Sequence, residues 1–470
     1  MDSAQKPTAR LTTLEWRATT SLALIFALRM FGMFSILPVL AIYARDLPGG
    51  DNQFLVGVAL GIDGLAQACL QIPFGLLSDR FGRKRMIYLG LALFALGSFL
   101  AASATTIHMI ILGRLVQGTG AISAAVIALL ADLTREEHRS ASMAVIGMSI
   151  GVTFGVSMVL GPTLNHYIGV PGIFALTGVL ALLALLAVRF IVPAPLASRV
   201  HGDAETVPGQ LRAVLKNSEL QRLNFGIFSL HAAMRGLFVA VPLLLLNVGG
   251  MAVETHWKVY LPVMALSFFG AVPAIIVAEK YARMKPVFCG AVGLLFISTI
   301  LMAVLVNHFA GIVIALFLFF LAFNLLEATL PSLVSKIAPA GSKGTAIGVY
   351  NTGQFLGLFL GGAIGGFLAQ HADYSAVFAF SSGLGIAWFT MAISMQKPPA
   401  VKTLMFHVDV KNAQTADALA AALAKLRGVT EAAVSADEGV AYLKADQHDW
   451  DEAGAQALMA RYKIALVMKT

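Results

Sequence analysis

Residues 75–86, GLLSDRFGRKRM, gather five charged side chains between two long apolar runs. One carboxylate, Asp79, stands between two glycines, Gly75 and Gly82. A glycine within a helix permits close helix approach, a glycine between helices permits a tight turn, and a carboxylate at a helix end can meet a neighbouring helix dipole. This spacing predicts a moving part of the molecule, whereas the cations alone would only fix a loop at the membrane surface. Those cations are Arg80, Arg83, Lys84 and Arg85.

Ionisable side chains inside apolar runs form a second group of candidates, and they are Arg29, Asp63, Arg114, His231, Arg235 and Glu327. A charge at the bilayer centre costs about 2.5–3.5 kcal/mol on insertion scales, so each needs a partner or a water-filled cavity. Structural pairing between helices and a place in a proton or substrate pathway are both open for each of them. Asp63 and Glu327 could carry a proton, although Asp63 could also lie shallow and face external water. His231 suits a pH-sensitive role or hydrogen-bonded packing.

The composition shows what kind of molecule holds these groups. Of 470 residues, 58% are hydrophobic and 12% are charged, against about 25% charged in soluble domains. A membrane span needs about 20 apolar residues, and the apolar runs predict about twelve. Their approximate limits are 17–43, 54–77, 86–104, 107–131, 141–165, 171–192, 221–247, 257–279, 286–306, 309–334, 345–369 and 374–395.

The distribution of charge predicts the orientation of the chain. The net charge is +8, but residues 404–470 hold 7 Lys and Arg against 9 Asp and Glu, so the rest of the chain carries +10. That surplus lies in alternate short loops, which predicts cytoplasmic N- and C-termini in an inner (cytoplasmic) membrane. No basic surface stands clear of the bilayer, which argues against a nucleic-acid partner.

The two sets of spans resemble each other. Residues 79–85 align with residues 279–285 at a constant offset of 200, and the second copy keeps the charge types but lacks the glycines. We therefore expect parallel six-helix repeats, a first half over residues 1–192 and a second half over 221–395. Residues 193–220 would form a cytoplasmic linker, either with an interfacial helix or as a solvated segment.

Residues 401–470 have the composition of a small soluble domain. Two helical patterns and four strand patterns follow one another in the order βαββαβ, with the last strand at KIALVM, which favours a ferredoxin-like α+β domain. It lacks a Cys-x-x-Cys after its first strand, and the two cysteines of the chain, Cys69 and Cys289, lie in apolar runs. No metal or other cofactor is expected, while a ligand or ion at this domain remains possible.

The motifs resemble those of the major facilitator superfamily, drug/proton antiporter type. Residues 75–86 resemble its loop between helices two and three, and RLVQGTGAISA from Arg114 resembles its fourth-helix pattern. The stretch Gly151–Pro162, GVTFGVSMVLGP, resembles its fifth-helix antiporter motif only in part, because the usual glycine pair does not follow.

This resemblance implies an all-α transmembrane fold of about twelve helices in two pseudo-symmetric halves, with the α+β tail domain. It implies a conformational switch in which Asp79, Arg83 and Asp132 form a charge relay, and it associates Arg114 with proton coupling. The other expected members of the switch are Gly75, Arg80 and Gly82. It also implies a helix-packing role for a further set of residues, Gly151, Gly155, Gly161 and Pro162.

The expected function is that of a secondary transporter and not of an enzyme. The glycine-rich residues 357–366 lack the soluble helix and acidic residue of a nucleotide fingerprint, so the energy source should be a proton gradient. The expected partners are a small amphipathic substrate, protons and the lipid bilayer, and we expect export by antiport. A symporter and a membrane sensor that signals through the tail domain are the alternatives.

Overall fold

The structure is a computed structural model that describes residues 11–194, 206–281, 283–397, 401–408, 410, 412–436, 439–446 and 449–461. Helices dominate the first 394 residues. Those of the first half are α1 Thr13–Phe34, α2 Leu37–Tyr43, α3 Gln53–Phe81, α4 Arg83–Ala102, α5 Ile107–Thr119, α6 Ser123–Leu133 and α7 Glu136–Phe190. The linker and second half contain α8 Leu211–Lys216, α9 Ser218–Asn247, α10 Trp257–Lys280, α11 Met284–Val304, α12 Phe309–Ile337, α13 Lys343–His371 and α14 Tyr374–Ser394.

Eleven helical segments of the described residues are long and apolar enough to cross a membrane. One of them, Ala141–Phe190, lies within α7, whose 55 residues are interrupted by Gly169 at a φ of 65°. Because glycine alone adopts this backbone region without strain, the chain turns there and α7 supplies two spans. The prediction of about twelve apolar helices is confirmed.

Two predicted spans are interrupted. The run 17–43 divides between α1 and α2, where Pro38 occupies the first turn of α2, a position that needs no backbone N–H. The run 107–131 divides between α5 and α6 at Gly120, beside the backbone of Gly90 on α4. Hydropathy does not record such breaks, because the runs on both sides of them are largely apolar.

The two halves meet most extensively along α3 and α13. A Cβ atom added at Gly57, Gly61 or Gly64 of α3 would lie within 3 Å of the α13 backbone. The same holds in the other direction at Gly362, which faces Gly57. Glycines therefore let these two helices approach more closely than any larger side chain would allow.

The bundle has two ends, which we name by their residues. The basic side contains the turn at Gly82 between α3 and α4 and the turn at Arg283 between α10 and α11. The opposite side contains the starts of α3 at Gln53, of α12 at Phe309 and of α14 at Tyr374.

The tail unit consists of β1 Val401–His407, α15 Ala413–Leu423, β2 Val429–Ser435, β3 Val440–Asp446 and α16 Glu452–Arg461. Its strands are antiparallel in the order β1-β3-β2, and α15 packs on the sheet through Leu419 and Leu423. A small α+β unit is thus confirmed, while the predicted last strand, residues 463–468, lies outside the described residues. Glu431 accepts a hydrogen bond at 2.9 Å from the backbone N–H of Ala340, between α12 and α13.

Candidate functional site

A cation and two carboxylates meet at the basic side of the first half. Arg83, the first residue of α4, donates to the Asp79 carboxylate in the last turns of α3. Its Nε atom lies 3.4 Å from Oδ2 of Asp132 near the end of α6, and its Nη1 atom donates to the Ser78 hydroxyl at 2.8 Å. The side chains of Arg83 and Asp132 are 2% and 1% exposed. The structure therefore brings together the three residues expected to form a charge relay, which we call the switch cluster.

The glycines of the motif serve different local needs. A Cβ atom at Gly75 would lie 3.3 Å from that of Ala124, so Gly75 permits the approach of α3 to α6. Gly82 has a φ of 96° with nothing within 4 Å of its added Cβ, so only its backbone conformation requires glycine. Arg80 lies outside the switch cluster, with its guanidinium 5.6 Å from the Phe81 ring.

A cleft between the halves begins beside the switch cluster. Gln71, Gly75 and Asp79 of α3 line one wall. The other wall contains Gly348 and Asn351 of α13, and the space measures about 460 Å³ with its open mouth included. This conformation is therefore open between α3 and α13 on the basic side.

The opposite side is joined between the halves. The backbone N–H of Gln53 donates to Gln370 at 2.6 Å, and Arg45 donates to the hydroxyl of Tyr374 at 3.3 Å. These bonds continue the glycine contacts of α3 and α13, so this pair of helices is in contact on the opposite side and apart on the basic side.

A network of buried charges joins the halves in the membrane interior. Asp63 of α3 is wholly buried and accepts from Arg114 of α5 at 2.7 Å and from Arg235 of α9 at 3.4 Å. Arg29 of α1 donates to Gln67 at 2.9 Å. The shallow, water-facing position considered for Asp63 is therefore not the one it occupies.

His231 and Glu327 form a separate pair in the second half. Nε2 of His231 lies 3.6 Å from the Glu327 carboxylate and 2.8 Å from the Gln354 amide, while Nδ1 lies 3.2 Å from the Ile227 carbonyl oxygen. The Glu327 side chain is 35% exposed. His231 is thus hydrogen-bonded in the helix bundle and also adjacent to a carboxylate.

A group of aromatic rings lies on one side of this pair. The Phe323 ring lies 5.8 Å from the His231 ring and 5.8 Å from Phe154 of α7, and Phe320 lies 5.9 Å from Phe154. An apolar surface built from both halves, with one carboxylate and one imidazole at its edge, can hold an amphipathic molecule.

Only part of the predicted helix-packing motif of α7 lies at a close helix contact. A Cβ atom at Gly161 would collide with the Ser35 carbonyl oxygen, so this glycine, which precedes Pro162, lies at a close helix contact. Gly151 and Gly155 have nothing within 4 Å of their added Cβ atoms. These two glycines therefore make no close helix contact in this conformation, although Phe154 between them packs against Phe320 and Phe323 of α12.

Several polar residues of these sites were not among the sequence candidates. Ser78 binds Arg83, Gln67 binds Arg29, and Gln117 lies 3.3 Å from Nη1 of Arg114. A signal existed, because Asp63, Gln67 and Gln71 recur every four residues in an otherwise apolar run. That spacing places the three side chains on one helix face.

Comparison with known proteins agrees with this architecture. Residues 22–362 match the Major Facilitator Superfamily. The inner membrane transport protein YajR of Escherichia coli (strain K12) is 45% identical over 437 residues, which cover 93% of this chain and 96% of YajR. The quinolone resistance protein NorA of Staphylococcus aureus is 24% identical, covering 72% of this chain and 86% of NorA.

A solved structure shows the same fold. The crystal structure of a bacterial homolog to the human lysosomal transporter Spinster, in an inward-facing and occupied conformation, aligns with a TM-score of 0.65 at 14% identity. The alignment covers 82% of this chain and 96% of that one. At this identity the likeness concerns the fold alone.

Proposed function

This chain belongs to the Major Facilitator Superfamily, and we propose that it is a proton-coupled antiporter that exports a small amphipathic solute by alternating access. It is a multi-pass transport protein of the inner membrane. In the proposed orientation the basic side faces the cytoplasm, so the cleft beside Asp79 is the cytoplasmic entrance.

The observation that carries this proposal is the position of Glu327. It is a carboxylate within a membrane-spanning helix, and its Oε1 atom accepts no hydrogen bond from a described residue. An ionisable group retained at such a position points to an ion or substrate pathway. Because Phe323 lies beside His231, the partner of Glu327, and also contacts Phe154 of the first half, a proton and an amphipathic molecule can compete for the same region.

The switch cluster supplies the second part of the mechanism. Across the cleft from Asp79, α13 begins at Lys343, and its neighbour Gly344 lines the same space. The N-terminus of a helix attracts a carboxylate through its dipole and its unpaired N–H groups. Closure of the basic side would bring Asp79 to this terminus, with its carboxylate held by Arg83, which Asp132 binds in turn.

The names of the relatives are consistent with export. YajR is described as an inner membrane transport protein, and NorA as a quinolone resistance protein. Resistance to a drug is a property that removal of a small organic molecule from the cell would provide. This agreement supports the direction of transport that we propose for the present chain.

The test is the variant Glu327→Gln, which keeps the size of the side chain and removes its proton. A thermal-stability screen of amphipathic compounds on the purified protein first supplies a ligand. In proteoliposomes we expect the variant to lose transport of that ligand driven by a pH gradient and to keep ligand exchange without a gradient.

Glu254→Gln is the matched control, because Glu254 is exposed at the opposite side, outside both sites. We expect it to transport like the unchanged protein. If Glu327→Gln kept the normal pH dependence of transport, Glu327 would not be the coupling carboxylate, and the proposed proton coupling through it would be wrong.

A further inference from the structure

The membrane interior contains more positive charge than its carboxylates balance. Arg29, Arg114 and Arg235 are each no more than 1% exposed, and Asp63 is wholly buried among them. Even with Glu327 of the neighbouring His231 pair counted as ionised, the described residues of this region hold three guanidinium groups and two carboxylates, of which Asp63 alone contacts these arginines. Burying an unbalanced charge is costly, so the surplus calls for a further negative charge.

The three arginines differ in how many of their N–H donors have a hydrogen-bond acceptor. Arg114 donates from Nε to the Ala59 carbonyl, from Nη1 to Gln117 and from Nη2 to the Leu60 carbonyl and Asp63. Its guanidinium is therefore satisfied by the protein and offers little to a ligand.

In Arg29 and Arg235, only some of the N–H donors have an acceptor among the described residues. Arg29 donates from Nη2 to Gln67, and its guanidinium lies 5.4 Å from the Phe94 ring. Arg235 donates from Nη2 to Asp63. The Nε and Nη1 atoms of both arginines are buried, and none of them has an acceptor among the described residues. Two almost fully buried guanidinium groups thus present unpaired donors.

These two groups converge on one stretch of α3. Asp63, which binds Arg235, and Gln67, which binds Arg29, are four residues apart, so they lie one turn apart on one helix face. Arg29 belongs to the first half and Arg235 to the second. Gln71, one turn further along α3, lines the cleft and has an unpaired Oε1 atom, which connects this region to the entrance on the basic side.

We infer that Arg29 and Arg235 form a binding site for a small monovalent anion in the core of the membrane domain. A guanidinium group binds carboxylates in a forked geometry and balances the charge of a halide equally well. The anion is either an inorganic halide or the carboxylate of an organic solute. This site rests on the arginine geometry and is independent of the proposed proton coupling.

The experiment measures direct binding of two labelled probes, chloride and benzoate, to the purified protein by equilibrium dialysis in a zwitterionic buffer. We expect saturable binding that weakens at least about tenfold in Arg29→Gln and in Arg235→Gln, because each loses charged hydrogen bonds. Arg212→Gln is the matched control, since Arg212 is exposed on α8, and it should bind like the unchanged protein.

A third variant keeps the test valid if the arginine variants fold poorly. Gln67→Glu would place a carboxylate next to Arg29, so that a side chain of the protein supplies the negative charge that the bound anion would otherwise provide. We expect it to weaken anion binding at least about tenfold and to raise the melting temperature measured without the anion.

The outcomes divide clearly. Tighter binding of chloride identifies an inorganic ion and tighter binding of benzoate a carboxylate solute, and either supports the site when Gln67→Glu weakens that binding at least about tenfold. Absence of saturable binding of both probes to the unchanged protein would show that water alone solvates the arginines. Binding that Gln67→Glu leaves unchanged would place the anion elsewhere, and either result overturns the inference.

Discussion

The turn at Gly82 and the turn at Arg283 occupy equivalent places in the two halves, yet their charges are arranged in opposite ways. In the first half one cation, Arg83, is shared by two carboxylates, Asp79 and Asp132, and is 2% exposed. In the second half one carboxylate, Glu279, is shared by the Ser332 hydroxyl at 2.8 Å and Lys336 at 3.0 Å, and its side chain is 47% exposed.

The position of Asp132 explains much of this difference. Ser332 lies 200 residues after Asp132, the same offset that relates Asp79 to Glu279. Where the first half has a buried acid, the second has a neutral hydroxyl that offers an arginine no opposite charge, and Arg283 is exposed and forms no ion pair with a described residue. Charge at the membrane surface is kept in both turns, whereas only the turn beside the cleft contains a buried network.

The largest expected difference between the two turns concerns their arginines. Arg83→Ala removes a partner of the buried Asp132 carboxylate, and we expect a loss of about 3 kcal/mol in the free energy of unfolding, the lower end of the range for buried pairs because Asp79 is partly exposed. Transport in proteoliposomes should fall sharply while membrane insertion is kept.

Arg283→Ala is the matched control for this prediction. An exposed surface substitution usually changes stability by less than about 0.5 kcal/mol, and transport should stay normal. Denaturation in detergent and transport assays check both variants. Equal losses for the two variants would show that the buried network has no special role.

A smaller difference is expected at Gly90 and Gly290, which are also 200 residues apart. A Cβ atom at Gly90 would overlap the Ile122 side chain and lie 3.3 Å from Phe74, whereas one at Gly290 has nothing within 4 Å. Gly90→Ala should destabilise by about 1–3 kcal/mol through overpacking. Gly290→Ala should stabilise by up to about 1 kcal/mol through helix propensity.

The melting temperatures of the two glycine variants, measured in one detergent, check this prediction. They would show whether the first half is packed more tightly than the second around its turn. If Gly90→Ala melted no lower than Gly290→Ala, the close contact between α4 and the α5–α6 break would not matter for stability.

The sequence was sufficient for the spans and for the charged motif. Long apolar runs have one stable arrangement in a bilayer, so the predicted span 54–77 and the observed helix Gln53–Phe81 agree within a few residues. The spacing of Asp79, Gly82 and Arg83 also predicted a local arrangement, because a turn and an i, i+4 contact depend only on neighbouring residues.

Contacts between distant helices could not be predicted in the same way. Asp63 is bound by Arg114 and by Arg235, which is 172 residues away, and nothing in the local pattern selects those partners. The open surroundings of Gly151 and Gly155 depend on where distant helices pack against α7, which the α7 sequence alone does not specify. The sequence also could not show that Arg29 donates to Gln67 from one nitrogen and that its Nε and Nη1 atoms have no acceptor among the described residues.

The most direct test of the central claim, that the switch cluster controls the cleft, is a spin-label distance measurement across both ends of α3 and α13. One label pair at Leu76 and Ile347 reports on the basic side, and a second at Phe54 and Phe367 reports on the opposite side. Between acidic and alkaline buffer, the unchanged protein should show one distance shortening as the other lengthens.

Asp79→Asn should hold the Leu76–Ile347 pair at its longer distance in both buffers, because the closed basic side would lose the carboxylate that meets the start of α13. Glu279→Gln should behave like the unchanged protein. Distances that change together at the two ends, or that Asp79→Asn leaves unaltered, would contradict the account.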